Sequence, residues 1–279
     1  MTLSEIRNLL NDEDIMLTKS LGQTFMHDQN QLHKIVALAK LAADDSVIEI
    51  GPGLGPLTEL LLETVGQVTA IETDRRLIKL LKKKFANCEN LTLQHADAMK
   101  IVRKTEFDWL EHKLVANLPY SIASPLLIDL AASEGRPNAM IVTLQLEVVR
   151  RMLARPGSRE YGVLALLIGL HYAVGEWFTI PRGSFYPEPN VDSGCIELLR
   201  RDTQLLPPEL CPVFKKIVKR VFGERRKKMM KLLNRDWPEA SVAESFDALG
   251  LDEQIRAERV TLEQFTELTQ RLSCTEIDD

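Results

Sequence analysis

Ser46-Val47-Ile48-Glu49-Ile50-Gly51-Pro52-Gly53-Leu54-Gly55-Pro56 decides the fold of this chain. Ser46 to Ile50 is a short, nearly continuous apolar run, the pattern of a strand buried on both faces. Three glycines at alternating positions follow it. Glycine after a strand lets the backbone approach a ligand closely, where a β-carbon would clash. A helix over 56–64 continues from the loop. The stretch therefore reads as strand, ligand-facing turn and helix.

The same alternation repeats downstream. Gln67 to Ile71 is a second strand, and Asp74 to Phe85 a helix with Leu77, Leu80 and Leu81 inward. Leu91 to Gln94 and His112 to Ala116 are a third and a fourth strand, Ser124 to Ala132 a helix, and Asn138 to Leu144 a fifth strand. Strands alternating with helices in units of roughly 30 residues give a parallel, doubly wound α/β sheet. Right-handed crossovers place the loops after the strands along one edge, where ligands bind. An apolar helix over 163–170 comes next, then two β-rich runs, Ala173 to Ile180 and Asp192 to Arg200. That pair suits an antiparallel hairpin closing the edge of the sheet. Beyond Thr203 the pattern is helical only, with Pro207-Pro208 opening a helix through Phe222. The chain thus divides into an α/β domain with an N-terminal extension, residues 1–202, and a small all-helical domain, residues 203–279.

The glycine loop points to a particular kind of cofactor. A dinucleotide fingerprint wants Gly-x-Gly-x-x-Gly, which would put its third glycine at position 56. Pro56 stands there instead, and it has no N–H to offer a pyrophosphate. Gly51 and Gly53 therefore suit a cofactor without phosphates, such as S-adenosylmethionine, better than NAD. Glu72 ends the second strand, where an acid can accept hydrogen bonds from both ribose hydroxyls; taken alone it reads equally as an exposed carboxylate. In His95-Ala96-Asp97-Ala98, after the third strand, Asp97 can accept from an adenine amino group or cap the following turn. Three successive strand ends carrying the expected group make S-adenosylmethionine the expected cofactor.

Asn117-Leu118-Pro119-Tyr120 follows the fourth strand and names the chemistry. N6 of adenine is a poor nucleophile, because its lone pair is conjugated into the ring. Two acceptors aimed at the amino hydrogens, the Asn117 side-chain oxygen and the Leu118 carbonyl, can hold it and favour a more tetrahedral nitrogen. Pro119 stiffens the turn and biases Leu118 toward an extended backbone. Tyr120 offers a stacking face, worth ~1–3 kcal/mol per base. In Phe185-Tyr186-Pro187-Glu188-Pro189, a proline-held loop presents Phe185 as a second wall for an extruded base, although Phe185 alone reads better as core.

Bulk properties limit the partners. No apolar run approaches the ~20 residues that span a bilayer, and Met1 to Glu5 shows no signal peptide. Cys88, Cys195, Cys211 and Cys274 are scattered, as in reduced cytosolic thiols, so a cytoplasmic protein is the simplest reading. The net charge of −5 hides a segregation. Lys215 to Lys231 holds nine basic residues and one acid, giving +8, whereas Asp236 to Asp279 sums to −9. Local field governs phosphate binding more than the total does, so a basic helix through Arg225, Arg226, Lys227 and Lys228 is the expected RNA-contacting surface.

Together these residues resemble the KsgA/RsmA family of ribosomal RNA adenine dimethyltransferases, from Lys19 to about Leu272. Lys19-Ser20-Leu21-Gly22-Gln23-Thr24-Phe25 is similar to its N-terminal signature, Glu49 to Thr58 to its cofactor loop, and Asn117 to Tyr120 and Ser184 to Ser193 to its target-base motifs. Gln145 to Val149, Tyr161-Gly162, and Phe222 with Arg225-Arg226-Lys227 match further stretches. The resemblance implies a Rossmann-like class I S-adenosylmethionine-dependent methyltransferase fold. It implies two methyl transfers to each of two adjacent adenosines in a hairpin loop near the 3′ end of small-subunit rRNA, within an assembling 30S-type particle. Gly51, Gly53, Glu72, Asp97, Ala98 and Asn117 would face the cofactor or the reacting centre, and Tyr120 and Phe185 would sandwich the base. Thr24 and Met26, where the family usually has Asn and Leu, are further cofactor-side positions. A monomer is the default. Three alternatives stay open: a macrolide-resistance-type large-subunit rRNA methyltransferase, a non-catalytic assembly or transcription factor on the same fold, and a DNA adenine methyltransferase.

Overall fold

The structure is a computed structural model that describes residues 2–13, 15, 24–104 and 108–274. Its elements, in chain order, begin with α1 (Leu3–Asp12), β1 (Phe25–Met26) and α2 (Gln29–Leu38). The alternating core follows: β2 (Ser46–Ile50), α3 (Pro56–Thr64), β3 (Gln67–Glu72), α4 (Arg75–Lys84), β4 (Leu91–His95), α5 (Ala98–Arg103), β5 (His112–Asn117), α6 (Ala123–Ala132) and β6 (Ala139–Gln145). Then come α7 (Leu146–Leu153), α8 (Val163–Gly169), β7 (Tyr172–Ile180), β8 (Phe185–Tyr186) and β9 (Ser193–Arg200). The helices α9 (Cys211–Gly223), α10 (Met229–Leu233), α11 (Glu239–Ala248) and α12 (Leu262–Ser273) complete the described chain.

Seven strands form one sheet in the order β4-β3-β2-β5-β6-β9-β7. The first five are parallel, and β9 returns antiparallel to β6, with Thr143 opposite Cys195. The expected hairpin does close this edge, its second strand lying inside its first. β2, β5 and β6 each carry an apolar central stretch, because helices cover both faces of a parallel sheet. Val47, Ile48, Leu114, Val115, Met140 and Ile141 are accordingly buried. Asp74 and Asp97 cap α4 and α5, so each helix starts within two or three residues of the strand before it. That short spacing brings the strand ends and helix starts to one edge.

A separate two-stranded ribbon pairs Phe25 with Tyr186 and Met26 with Phe185. Above it, α1 buries Ile6 and Leu10 in a cluster with Phe25, Leu54 and Leu77. Short strands β1 and β8 and helices α1, α2, α5 and α7 are not among the sequence expectations.

The chain separates into two compact units, Met1–Val149 with Ala173–Arg200, and Arg150–Tyr172 with Arg201–Asp279. Sequence patterning puts one boundary near 202–206, and the two divisions differ over Arg150–Tyr172. That segment is tied into the second unit: the Tyr161 hydroxyl donates to the Val260 carbonyl at 3.0 Å, and its ring packs edge-on to Phe222 at 6.1 Å. In the same unit Pro207-Pro208 starts a 3-10 turn, Pro208–Leu210, before α9 begins at Cys211.

Candidate active site

The ends of four parallel strands converge on one cavity of about 230 Å³. β2 runs into Gly51, whose N–H still donates to Ile71 on β3 at 2.9 Å. Gly51 and Gly53 both have positive φ, +73° and +61°. A β-carbon on Gly53 would lie 2.9 Å from the Phe25 ring, and one on Gly51 would lie 3.3 Å from the Pro119 ring. The loop is thus pressed between the N-terminal ribbon and the turn after β5, and only glycine fits both the conformation and the gap.

At the end of β3, Glu72 is 6% exposed. Its Oε1 accepts the Thr73 and Asp74 N–H groups, both at 2.8 Å, and Oε2 accepts the Gly53 N–H at 3.3 Å. Burial raises its pKa, and those three N–H groups offset only part of the rise. After β4, Asp97 Oδ1 caps α5 through the Met99 N–H at 3.0 Å. Its other oxygen has no partner among the described residues, so capping and ligand contact are compatible here.

Thr24, Met26, Gly51, Gly53, Glu72, Asp97, Ala98, Asn117, Leu118 and Pro119 all line this one cavity. Lys19 to Gln23 of the N-terminal signature fall outside the described residues. Three acids, Glu49, Glu72 and Asp97, face the cavity, and none of its lining residues is Lys or Arg. Such a wall disfavours phosphates, and a cationic ligand draws its carboxyls toward the charged form. S-adenosylmethionine, cationic and phosphate-free, fits it; a dinucleotide does not.

Glu49 is a wall residue that sequence reasoning did not single out. It is 2% exposed on β2, and burial pushes its carboxyl up to about 8. The Thr58 hydroxyl donates to its Oε2 at 2.6 Å. An acid interrupting an otherwise apolar strand was the available signal.

Beyond β5 the turn is held by its main chain: the Leu118 N–H donates to the Thr143 carbonyl at 3.2 Å, and the Ile122 N–H to the Pro119 carbonyl at 3.1 Å. Asn117 Oδ1 is buried and has no hydrogen-bond partner among the described residues. The Tyr120 hydroxyl meets Ser193 Oγ at 2.6 Å and also interacts with Thr24; burial raises its pKa.

Two expected base contacts stand apart from the cavity wall. Tyr120 does not line it, and Phe185, 2% exposed, sits in a hydrophobic cluster with Met26, Leu32 and Ile35. Strand alternation is the cause, since adjacent residues of β8 point to opposite faces. Phe185 takes the core side, while Tyr186 is half-buried with the Arg7 guanidinium 5.2 Å above its ring.

The basic segment in the second unit is not one helix. α9 buries Phe214, Ile217, Val218, Val221 and Phe222 as its inner face and ends at Gly223. Arg225 to Lys228 form an exposed turn before α10. Glycine is a poor helix former, and four consecutive cations repel one another, so the helix stops there. Glu224 is clasped by Lys227 and Arg235, which hold its pKa down at about 2. Arg225 donates to the Arg159 carbonyl at 2.9 Å, and Arg220 pairs with Asp236. Lys219, Arg226 and Lys228 remain exposed without an ion pair among the described residues.

Comparison with known proteins gives a consistent result. Residues 16–273 match the model of a family described as ribosomal RNA adenine dimethylase. A protein of Lactiplantibacillus plantarum named ribosomal RNA small subunit methyltransferase A is 37% identical over 278 residues, covering 95% of this chain and 93% of its own length. Among solved structures, the 23S rRNA methyltransferase ErmE superposes with a TM-score of 0.66 at 27% identity, covering 89% of this chain and 99% of its own. A dimethyladenosine transferase from Plasmodium falciparum superposes with a TM-score of 0.76 at 24% identity, covering 91% and 98%. At that identity the last likeness speaks to the fold, a class I methyltransferase fold with a helical C-terminal region.

Proposed function

This chain belongs to the ribosomal RNA adenine dimethylase family, and from that premise we propose that it dimethylates N6 of adenosine in small-subunit rRNA, using S-adenosylmethionine. The observation that carries the reading is the cavity itself. An acid-lined, phosphate-excluding pocket ends at Asn117, whose side-chain oxygen is buried without a partner next to the Leu118 turn. The small-subunit naming of relatives at 33–37% identity over most of the chain favours that target over the large subunit.

In this reading S-adenosylmethionine, when bound, supplies a methyl group made electrophilic by its sulfonium. Glu72 accepts from the ribose hydroxyls; the 3.3 Å Gly53 contact is the weakest of its three bonds and the one that yields. Asp97 accepts from the adenine amino group of the cofactor through its second oxygen. Asn117 Oδ1 and the Leu118 carbonyl accept from the two amino hydrogens of the target base, which orients the nitrogen lone pair. Positioning of this kind supplies most of the rate. No strong general base is required, because a methylated amine sheds its proton readily. Tyr120, held by Ser193, contributes a stacking face, and Phe185 reaches the base only if β8 shifts. Arg225, Arg226, Lys227 and Lys228 contact RNA backbone, with Arg226 and Lys228 the cations not already engaged. We further infer that the target is a pair of adjacent adenosines in a hairpin loop near the 3′ end, within an assembling 30S-type particle. The protein acts there as a cytoplasmic monomer. No helix among the described residues is long and apolar enough to cross a membrane.

The test is direct. The protein is incubated with labelled S-adenosylmethionine and, separately, unmethylated small subunits, large subunits and DNA, and the nucleosides are then identified. Dimethyladenosine in the small subunit is expected. Monomethyladenosine in DNA, or label in large subunits alone, refutes the assignment.

A further inference from the structure

Asn117 Oδ1 and Thr143 Oγ1 are among the buried side-chain oxygens of the first unit that have no hydrogen bond of normal geometry among the described residues; the Thr143 hydroxyl has only the thiol of Cys195, opposite it on β9, to interact with. Asn117 and Thr143 are neighbours by register. Asn117 pairs with Thr143 on the parallel β5–β6 ladder, so both side chains leave the same face of strands about 4.8 Å apart. Thr143 is 0% exposed, and a hydroxyl in such a place destabilises the fold relative to a methyl of the same shape. Local rules are broken in this way where a site needs the group.

Thr143 already acts on the catalytic turn through its main chain, because its carbonyl accepts the Leu118 N–H. Its side chain has a matching task. A carboxamide presents an oxygen and a nitrogen of nearly equal size, and a neighbouring donor decides which end turns to the substrate. Val115, Ile141 and Cys195, which share this face, belong to the hydrophobic core and offer at most a weak S–H donor. Thr143 is the strong donor beside Asn117.

We propose that Thr143 is a positioning residue for methyl transfer: with an adenosine seated, its hydroxyl donates to Asn117 Oδ1, fixes the amide with oxygen toward the amine, and leaves that oxygen's second lone pair for an amino hydrogen. This rests on the adenine-N6 reading above. The two atoms then satisfy one another when the substrate is in place.

Thr143→Val keeps the shape and removes the hydroxyl; Thr143→Ser keeps the hydroxyl and removes the methyl. Both are compared with the parent on unmethylated small subunits, alongside calorimetric titration with S-adenosylmethionine and thermal melting. T143V is expected to bind the cofactor like the parent and to melt no lower. Its single-turnover rate is expected to fall about tenfold, the scale of one net hydrogen bond, and T143S to keep most of the rate. A purely packing role gives the reverse order, with T143S the poorer variant. Parent-like transfer by T143V, or a slow T143S beside a normal T143V, overturns the proposal. A parent that forms no dimethyladenosine overturns the adenine-N6 reading first, and is recognised before either variant is assayed.

Discussion

Glu49 provides a titration that can be followed without any RNA. Burial pushes its carboxyl up to about 8; the Thr58 hydroxyl opposes the rise, Glu72 adds to it, and Lys84 opposes it. In the unfolded chain a glutamate titrates near 4.5. Between those values the folded state holds a proton that the unfolded state has released. Stability contributed by the neutral carboxyl is therefore full below the lower value and is lost as pH rises toward the upper one, by about 1.4 kcal/mol per pH unit. From pH 5 to 7.5 the loss sums to roughly 3 kcal/mol. Glu49→Gln is neutral at every pH and nearly isosteric. Denaturant unfolding of the two proteins should give similar stabilities at pH 5 and a gap of about that size, in favour of E49Q, at pH 7.5. A cationic ligand in the cavity favours the carboxylate. Binding of S-adenosylmethionine near pH 7 should thus release up to one proton, seen as a calorimetric enthalpy that varies with the buffer's ionisation enthalpy. E49Q should show no such dependence. Parallel stability profiles for the two proteins, and equal proton release, would refute a neutral Glu49.

Three further outcomes follow from the site and the basic turn. Asn117→Ala should bind S-adenosylmethionine within a few-fold of the parent but lose about 100-fold or more in transfer, the scale of a lost transition-state hydrogen bond; near-normal turnover refutes its role at the reacting nitrogen. Gly53→Ala should weaken cofactor binding at least tenfold, since the new β-carbon meets Phe25 at 2.9 Å and a left-handed alanine costs about 1–2 kcal/mol; an unchanged calorimetric dissociation constant counts against the pressed loop. Reversing Arg226 and Lys228 to Glu should weaken binding to small subunits and flatten the log–log salt dependence by about 0.7–0.9 for each lost phosphate contact. Filter binding across salt that gives an unchanged slope removes this surface from the RNA footprint.

Most of the sheet was legible because its strands are apolar runs bounded by glycine or polar caps, a signal that lies in adjacent residues. Ser46–Ile50 and Pro56–Thr64 have the boundaries expected of them. β1 and β8 were not legible, because two-residue strands have no periodicity and exist only through each other. The cavity wall was largely readable, since Glu72 and Asn117 end strands and Gly51 and Asp97 stand one and two residues beyond the ends of others. Glu49 escaped because its importance comes from the degree of burial, which no local pattern records. Phe185 shows the converse: its chemistry suits a base, yet pairing with Met26 turns it into the core. The basic run was visible as charge, but the exit of α9 at Gly223 and the clasp on Glu224 depend on Arg235, eleven residues further on.

The discontinuity of the second unit has a practical consequence for dissecting the protein. The chain passes between units at three points, after Val149, Tyr172 and Arg200. Cutting at Arg200 to isolate the cofactor-binding part would strand Arg150–Tyr172, whose helix α8 packs on α9 and buries Leu166 and Leu167. That fragment would display an orphaned apolar helix to solvent and aggregate. Isolating the first unit therefore means removing 150–172 as well as everything after Arg200, and the first of those cuts falls inside α7.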